Sequence, residues 1–311
     1  MLKNIIMPTI ISWLSQRSIL FLLLVLMGIM GCGDDDSNVP ASLPTRGELT
    51  LGIDESLRPL ADAEIATFSA YYPDARVMPL YLPEKQVVEK LLANEIQTAI
   101  ICRDLYPDES AHIAGSYGHS IRVFRLGDDD IIAVANKANS ISELSFETIR
   151  GILLGTITDR EQLPVAINDK SPILVVLTRS SSIDRYFSSS VPISPAWTYA
   201  LETTAEVIEY VQSNASAIGI VGGCWFYQKG NTINGIKILT GSTGSAENGK
   251  RGGRLSREVY AVTHEPNTGL GSGFISFMAG QKGQLILSKA GMTPYKPISR
   301  EIKLLDSIDN L

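Results

Sequence analysis

Cysteine and histidine are scarce in this sequence, which has only three of each among its 311 residues. No C-x-x-C pair and no Cys/His cluster occurs, although structural and catalytic zinc sites are built from such ligands. We therefore expect no metal site and no cofactor. Basic residues are also in the minority, with 27 Lys and Arg against 33 Asp and Glu, which gives a net charge of −6. This balance argues against a nucleic-acid-binding surface, but a small-anion site depends on local donors and stays open.

The usual signatures of catalysis are missing as well. No serine stands in a G-x-S-x-G nucleophile elbow. The run from Gly244 to Lys250 resembles a phosphate-binding P-loop, but Arg251 stands where Ser or Thr should hold magnesium. We expect that run to be a flexible loop. The sequence therefore predicts a protein that is not an enzyme.

Long apolar runs are limited to one near the N-terminus. Ile19 to Gly31 is thirteen residues long, follows Lys3 and Arg17, and ends at Cys32. This length is short for a membrane-spanning helix and typical of the apolar part of a signal peptide. The ending Ile-Met-Gly-Cys resembles a bacterial lipobox, which implies removal of residues 1–31 and lipidation of Cys32. A transmembrane anchor or a cytosolic start are the alternatives, and residues 32–46 are predicted to be a flexible tether.

Two cysteines remain beyond that leader. Cys102 and Cys224 each end an apolar, strand-like run, and the two runs lie far apart in sequence. One interpretation is that they form a disulfide in an oxidising compartment. We expect two buried free thiols instead.

Strands and helices alternate from Glu48 onward. Leu49, Leu51 and Ile53 alternate as a strand, Pro59 opens a helix, and Ala99 to Cys102 is a short apolar strand of the kind found in parallel sheets. A strand–helix–strand–helix–strand order predicts an α/β fold with a doubly wound sheet. Two strands are predicted next, Ile121 to Leu126 and Ile131 to Ala135, separated by Gly127 and three aspartates. The middle of the chain has its own alternation and is expected to form its own sheet.

Polar loops follow several of the predicted strands. The most informative is Arg179 with three serines, between an apolar run and the helix-compatible segment Ile183 to Phe187. Arginine, serine hydroxyls and a helix N-terminus together favour a small oxyanion. The loop that begins at Asp54 and the residue Arg103 follow two other strands, and ligands of open α/β sheets lie at such strand ends. The alternative is that the serines only cap a helix and that Arg179 makes a surface ion pair.

Several segments, in the right order, resemble the substrate-binding lipoprotein of the phosphate ABC transporter of the Bacteroidetes type. They are D-E-S-L-R-P-L, D-I-I-A-V-A-N-K, T-R-S-S-S-I-D-R-Y-F and G-S-G-F-I-S-F-M-A-G-Q-K-G, and the resemblance covers Gly47 to Lys303. It implies a two-lobed periplasmic-binding-protein-like (type II) fold with a hinge. Lobe 1 would comprise residues 47–135 and 224–311, and lobe 2 residues 136–223.

The resemblance also implies a function. Phosphate or a similar tetrahedral oxyanion would bind between the lobes and pass to an ABC permease. The protein would be a monomer, anchored by its lipid in the cell envelope. The residues implied as ligand-binding are Asp54, Glu55, Ser56, Arg103, Arg179, Ser180, Ser181 and Ser182.

Two departures from the family pattern matter for this site. The usual Ser-Gly-Thr loop is replaced by Ser181-Ser182-Ile183 or by the neighbouring register of these residues. Arg103 stands where many family members have an aspartate that accepts the proton of hydrogen phosphate, a role that Asp54 could take. The alternative function is therefore a divergent surface lipoprotein with the same fold, which serves adhesion, sensing or scaffolding.

Overall fold

The computed structural model describes residues 43–118, 120–157, 160–163, 174–188, 198–227, 233–239, 241, 255–266 and 268–296. The predicted signal peptide, Cys32 and the P-loop-like run lie outside these residues. At the end of the predicted tether, Leu43 and Arg46 pair with each other and close a turn. That turn packs on Gly273, where a Cβ would clash with the carbonyl oxygen of Pro44.

The first lobe begins with three parallel strands. They are β1 (Gly47–Asp54), β2 (Ala75–Leu82) and β3 (Thr98–Ile101), which lie in the order β2–β1–β3. The crossovers are α1 (Arg58–Tyr71) and α2 (Glu84–Leu92). A third helix, α3 (Pro107–Tyr117), follows β3. The predicted strand–helix alternation is confirmed here.

One long strand, β4 (Arg122–Asn136), runs through both lobes. Its first part pairs antiparallel with β9 (Ser256–Thr263), which in turn pairs with β3. From Ile131 onward its partner is β7 (Ala217–Gly222). The sequence predicted two strands here, but the strand continues, with a register shift between Arg125 and Gly127. β4 therefore carries the chain from one lobe into the other.

The second lobe has its own sheet, in the order β4–β7–β5–β6. β5 (Leu174–Thr178) pairs in parallel with β6 (Thr198–Leu201) and with β7. Its helices are α4 (Phe146–Leu153), α5 (Ser182–Ser188) and α6 (Thr204–Ser213). β8 (Ile236–Ile238) also pairs with the second-lobe part of β4, although residues 224–311 were assigned to lobe 1. The change of pairing partner at Ile131 likewise precedes the predicted boundary at residue 136.

Each lobe buries a separate apolar core. In the first lobe, Phe68 of α1 meets Phe274 edge to face at 5.1 Å between ring centroids. Phe274 belongs to α7 (Leu270–Ala279), which is followed by α8 (Gln281–Lys289) and by β10 (Thr293–Pro294) on the edge of β4. The second core gathers side chains from its own strands, including Ile131, Val175 and Ile218. Each lobe also has a second apolar cluster, and β4 joins the two lobes into one molecule.

Cys102 and Cys224 are both buried and free, as predicted. Within the part of the chain that the structure describes, no helix has both the length and the apolar character needed to cross a membrane.

Candidate functional site

The turn after β1 is held by the side chain of Asp54. Its Oδ1 accepts hydrogen bonds from the backbone N–H of Ser56 at 3.1 Å and from the Ser56 hydroxyl at 2.8 Å. Pro59 then stands in the first turn of α1, where a missing N–H costs nothing. Asp54, Glu55 and Ser56 are all buried, and the first two contact the second lobe. Three polar side chains from one loop therefore face the space between the lobes.

Arg257 of β9 is the cation at the centre of this space. Its side chain is nearly inaccessible, and its Nη2 donates to Asp129 Oδ2 at 2.8 Å. Its Nη1 donates to the Ser56 hydroxyl at 2.7 Å. Burial lowers the pKa of Arg257, but the neighbouring Cys102, Asp129 and Asp54 raise it more, so the guanidinium stays charged. The Arg257 guanidinium therefore pairs with the Asp129 carboxylate and also donates to the Ser56 hydroxyl.

Asp129, on β4, anchors that cation. Its Oδ1 accepts a hydrogen bond from the backbone N–H of Cys224 at 3.0 Å, while its Oδ2 faces Arg257. Burial raises the pKa of Asp129, and the charge and hydrogen bonds of Arg257 act in the opposite direction. The pair lies where the chain crosses between lobes, since Asp129 precedes Ile131 on β4 and Cys224 follows β7.

The second lobe contributes a hydroxyl group to the same point. Ser182, the first residue of α5, donates to Asp54 Oδ2 and accepts from Arg257 Nη1. The Arg257 guanidinium and the Asp54 carboxylate lie 3.9 Å apart. We call Asp54, Ser56, Ser182 and Arg257 the interlobe cluster. Its donors come from both lobes, so they meet only when the lobes are closed.

A second carboxylate of the first lobe, Glu55, reaches helix α6. Both of its oxygens accept the backbone N–H of Thr204 at 3.0 Å, and Oε1 also accepts the Thr204 hydroxyl at 2.7 Å. A negative charge at a helix N-terminus is favourable because the helix dipole and the free N–H groups both point to it. Burial raises the pKa of Glu55, whereas the hydrogen bonds from Thr204 lower it.

A cavity of about 420 Å³ opens beside the interlobe cluster. At its base, Arg185 Nε of α5 meets Glu84 Oε2 of α2 at 2.6 Å. The backbone of Cys102 holds this ion pair in place. The Cys102 N–H donates to Glu84, and the Cys102 carbonyl accepts from Arg185. Both lobes line the cavity, with Glu84, Lys85, Val88, Glu89, Leu92, Arg103, Tyr106, Glu109, Ser180, Ser181, Asp184 and Arg185.

The predicted site residues fall into groups in the structure. Asp54, Ser56 and Ser182 come together in the interlobe cluster, and Glu55 lies next to it. Arg103, Ser180 and Ser181 line the neighbouring cavity instead. The Arg103 guanidinium makes two hydrogen bonds of 2.7 Å to Glu109. The Ser181 hydroxyl caps α5, because it accepts the N–H of Asp184 at 3.1 Å.

Arg179 lies apart from both groups. Its side chain is 63% exposed, and its Nε is 3.8 Å from Glu202. Strand β5 ends at Thr178, whose hydroxyl faces Thr204 inside the lobe. Arg179 lies in the turn that follows, where its backbone N–H bonds to Leu201 and its side chain is at the surface. This placement matches the surface ion pair that the sequence left as the alternative.

The central cation and its counter-ion were not among the predicted residues. One signal for Arg257 was present, since it shares a strand face with Val259 and Ala261, which are buried. An arginine on the core face of a strand requires a buried acid as partner. No feature of the sequence near Arg257 identifies Asp129 as that partner, because Asp129 lies in a run of three aspartates far away in sequence.

Metal binding by this region is disfavoured by the contacts already made. Ligand atoms of Asp54, Glu84 and Cys102 lie within 4.8 Å of one another, which is close enough for a shared ion. However, Glu84 is bonded to Arg185, and Asp54 to two serines beside Arg257. A metal ion there would have to displace or face these cations.

A family model described as a PBP superfamily domain matches residues 38–282. A search of curated proteins finds no match. Among solved structures, a phosphate ABC transporter substrate-binding protein with bound phosphate from Clostridium perfringens superposes with a TM-score of 0.66, at 20% identity over 80% of this chain and 100% of that chain. A phosphate-binding protein from Stenotrophomonas maltophilia gives 0.62, at 14% identity over 81% of this chain and 91% of that chain.

The fold is not limited to phosphate receptors. The OxyR2 regulatory domain from Vibrio vulnificus gives a TM-score of 0.51, at 13% identity over 80% of this chain and 98% of that chain. These likenesses confirm the predicted periplasmic-binding-protein-like fold of two α/β lobes joined by a hinge. Because this family model matches most of its length, the chain belongs to the PBP superfamily.

Proposed function

We propose that this protein is a non-catalytic receptor that captures phosphate or a similar tetrahedral oxyanion between its lobes. The observation that carries this proposal is Arg257, which donates from the first lobe to both Ser56 and Ser182. A charged guanidinium flanked by hydroxyl groups from two sides suits a tetrahedral anion, because charge-assisted hydrogen bonds are the strong ones. Two of the similar structures are themselves described as phosphate-binding.

In this proposal, the ligand takes over contacts that Asp54 now makes. Asp54 accepts from Ser182 beside Arg257, so its carboxylate occupies the donors that an oxyanion needs. When the anion replaces it on these donors, Asp54 remains beside the ligand as an acceptor. An oxyanion that carries a hydroxyl proton can donate to Asp54, whereas sulfate would face it with lone pairs only. We therefore expect phosphate to be preferred over sulfate.

Lobe closure supplies the affinity in this mechanism. Ser182 belongs to the second lobe, while Ser56 and Arg257 belong to the first, so the full donor set exists only in the closed form. Closure around a hinge also removes water, and electrostatic hydrogen bonds become stronger in the less polar interior. Strand β4, which runs through both lobes, is the natural place for this hinge.

Two further parts of the proposal rest on sequence alone. Lipidation at Cys32 would hold the protein in the cell envelope, and an ABC permease would receive the ligand from a monomeric receptor. Labelling of cells with a radioactive fatty acid tests the anchor, because Cys32→Ala should remove the label. Loss of phosphate uptake in a deletion strain tests the coupling to a permease.

Calorimetric titration of the chain from Gly33 onward tests the binding function. Phosphate and arsenate should give saturable heats, and sulfate a much weaker one. Small-angle scattering should show that the protein with phosphate is at least as compact as the ligand-free protein. No heat and no thermal shift with phosphate, arsenate, sulfate, molybdate or tungstate would remove the proposal.

A sensing, adhesion or scaffold role is the second candidate. It is favoured by the direct bonds between lobes, since Asp54–Ser182 and Glu55–Thr204 close the cleft with the protein's own groups. Protease treatment of intact cells separates the two functions. A permease-coupled receptor should be protected in the periplasm, whereas a surface lipoprotein should be cleaved.

A further inference from the structure

The cavity lies directly beside the interlobe cluster. Glu84 at the cavity base and Asp54 in the cluster have oxygens within 4.8 Å of each other. Ser181 lines the cavity, and its neighbour Ser182 belongs to the cluster. A ligand whose anionic end lies on Ser182 and Arg257 therefore has open volume directly beside it.

This volume is much larger than a free tetrahedral oxyanion needs. At about 420 Å³, the cavity falls within the roughly 300–1,000 Å³ of pockets that hold organic small molecules. It has walls from both lobes, since α2 and the start of α3 form one side and the start of α5 the other. It would therefore close around a bound molecule together with the cluster.

The charged side chains of the cavity wall already have partners. Arg103 pairs with Glu109 at 2.7 Å, and Arg185 with Glu84 at 2.6 Å. Lys85 and Glu89 form a looser pair at 3.9 Å on the exposed side. With these charges paired, the wall offers no strong site for a second charged group of a ligand.

What remains for contact is mainly apolar and aromatic. Val88 and Leu92 lie on the face of α2 that lines the cavity, and Tyr106 stands opposite Arg103, whose guanidinium lies 4.1 Å from the ring centroid. Tyr106 is also half exposed, so part of its ring is accessible to a ligand. These surfaces fit an uncharged hydrocarbon or aromatic group.

We propose that the preferred ligand of this cleft is an oxyanion that carries an uncharged organic substituent, such as a phosphonate or a phosphate monoester. The inference rests on the proposed oxyanion site and specifies its substrate class. The anionic end lies on Ser56, Ser182 and Arg257, and the substituent fills the cavity against Val88, Leu92 and Tyr106. Inorganic phosphate fits the same donors but leaves the cavity empty.

Titration calorimetry with three probes tests this proposal: inorganic phosphate, propylphosphonate and phenylphosphonate. We expect at least one phosphonate to bind about tenfold more tightly than phosphate, which corresponds to about 1.4 kcal/mol. The variant Glu89→Trp places a large ring at an exposed position of the cavity wall. It should weaken phosphonate binding about tenfold and leave phosphate binding nearly unchanged.

Glu95→Trp is the matched control. Its side chain is 58% exposed, against 59% for Glu89, and it lies outside the cavity lining. This variant should leave the binding of all three probes unchanged. Phosphate binding with no phosphonate binding would overturn the inference and keep the oxyanion site. Equal effects of Glu89→Trp on phosphate and phosphonates would also overturn it, and no binding of any probe would remove the proposed function itself.

Discussion

Glu55 of the first lobe caps the N-terminus of helix α6 in the second lobe through Thr204. Both carboxylate oxygens accept the Thr204 N–H at 3.0 Å, and the hydroxyl adds a third bond at 2.7 Å. The helix already has its own capping box, in which Thr203 and Glu206 exchange hydrogen bonds. Glu55 is therefore not needed to start the helix. Its bonds hold the two lobes together.

Glu55→Gln should weaken this closure. The amide keeps the size of the side chain but loses the charge that interacts with the helix dipole, an effect of about 1 kcal/mol. Small-angle scattering of the ligand-free variant should therefore show a larger radius of gyration than that of the original protein. Saturating phosphate should restore compactness in the variant. Identical scattering curves without ligand would show that Glu55 does not hold the lobes closed.

Arg257→Lys should impair ligand binding without unfolding the protein. Lysine keeps the positive charge, but it lacks the planar fork that reaches Asp129, Ser56 and Ser182 together. We expect a loss of phosphate affinity of about tenfold or more, since hydrogen bonds to charged groups are worth roughly 1.5–3 kcal/mol. Calorimetry measures this loss. Removal of the whole guanidinium group in Arg257→Ala is less informative. That change leaves Asp129 buried and unpaired, which costs about 3–5 kcal/mol of stability.

Arg179→Ala is the control for that experiment. Arg179 is exposed and 3.8 Å from an exposed Glu202, and such surface pairs contribute about 0–1 kcal/mol. Phosphate affinity and the unfolding midpoint should both change little. A severe loss of affinity in Arg179→Ala, with normal binding in Arg257→Lys, would reverse the roles assigned here to the two arginines.

Neighbouring serines should separate binding from helix capping. Ser182→Ala removes the hydroxyl that meets Asp54 and Arg257, so phosphate affinity should fall about tenfold. Ser181→Ala removes the cap of α5 and should cost about 1 kcal/mol of stability with a smaller effect on affinity. Urea unfolding and calorimetry of both variants give the comparison. Equal losses of affinity would mean that the helix end, and not the Ser182 hydroxyl, matters for binding.

Glu64 should make stability depend on pH. It lies fully buried on α1, and neither of its oxygens has a hydrogen-bond partner among the described residues. Burial raises its pKa from 4.5 to about 9. Between these values the folded protein keeps the proton and the unfolded chain loses it, so stability falls as pH rises through this window. Each pKa unit corresponds to about 1.4 kcal/mol.

Glu64→Gln removes this titration. Urea unfolding at pH 5 to 8.5 should show a smaller decline in stability with pH for the variant than for the original protein. Glu95→Gln, at an exposed position, should keep the original decline. Parallel pH profiles for Glu64→Gln and the original protein would show that the carboxyl group ionises in the folded state without cost.

The strand-end loops illustrate what could be predicted from sequence. The apolar alternation before Asp54 and the proline at the start of α1 placed a polar loop at the end of β1, where the structure has it. The same reasoning placed Ser182 at the start of a helix after β5. These are local signals, because strand and helix periodicity and the caps of helices depend on residues close in sequence.

The local signals failed at β4 and at the arginines. Gly127 and the aspartates after it were predicted to separate two strands, but the aspartates stay in one strand because β9 pairs with them and Arg257 neutralises Asp129. That partner lies 128 residues away in the chain. Arg179, next to three serines, was predicted to bind the ligand, whereas the structure places its side chain at the surface beside Glu202.

The amino-acid sequence by itself determined the α/β class, the order of the elements and the polar character of the loop that begins at Asp54, because these follow from short-range patterns. Only the tertiary structure decided that Arg257 is the central cation, that Glu55 bridges the lobes, and that Arg103 lines a separate cavity. The physical reason is that buried charges are set by their partners, and these partners come from distant strands of both lobes.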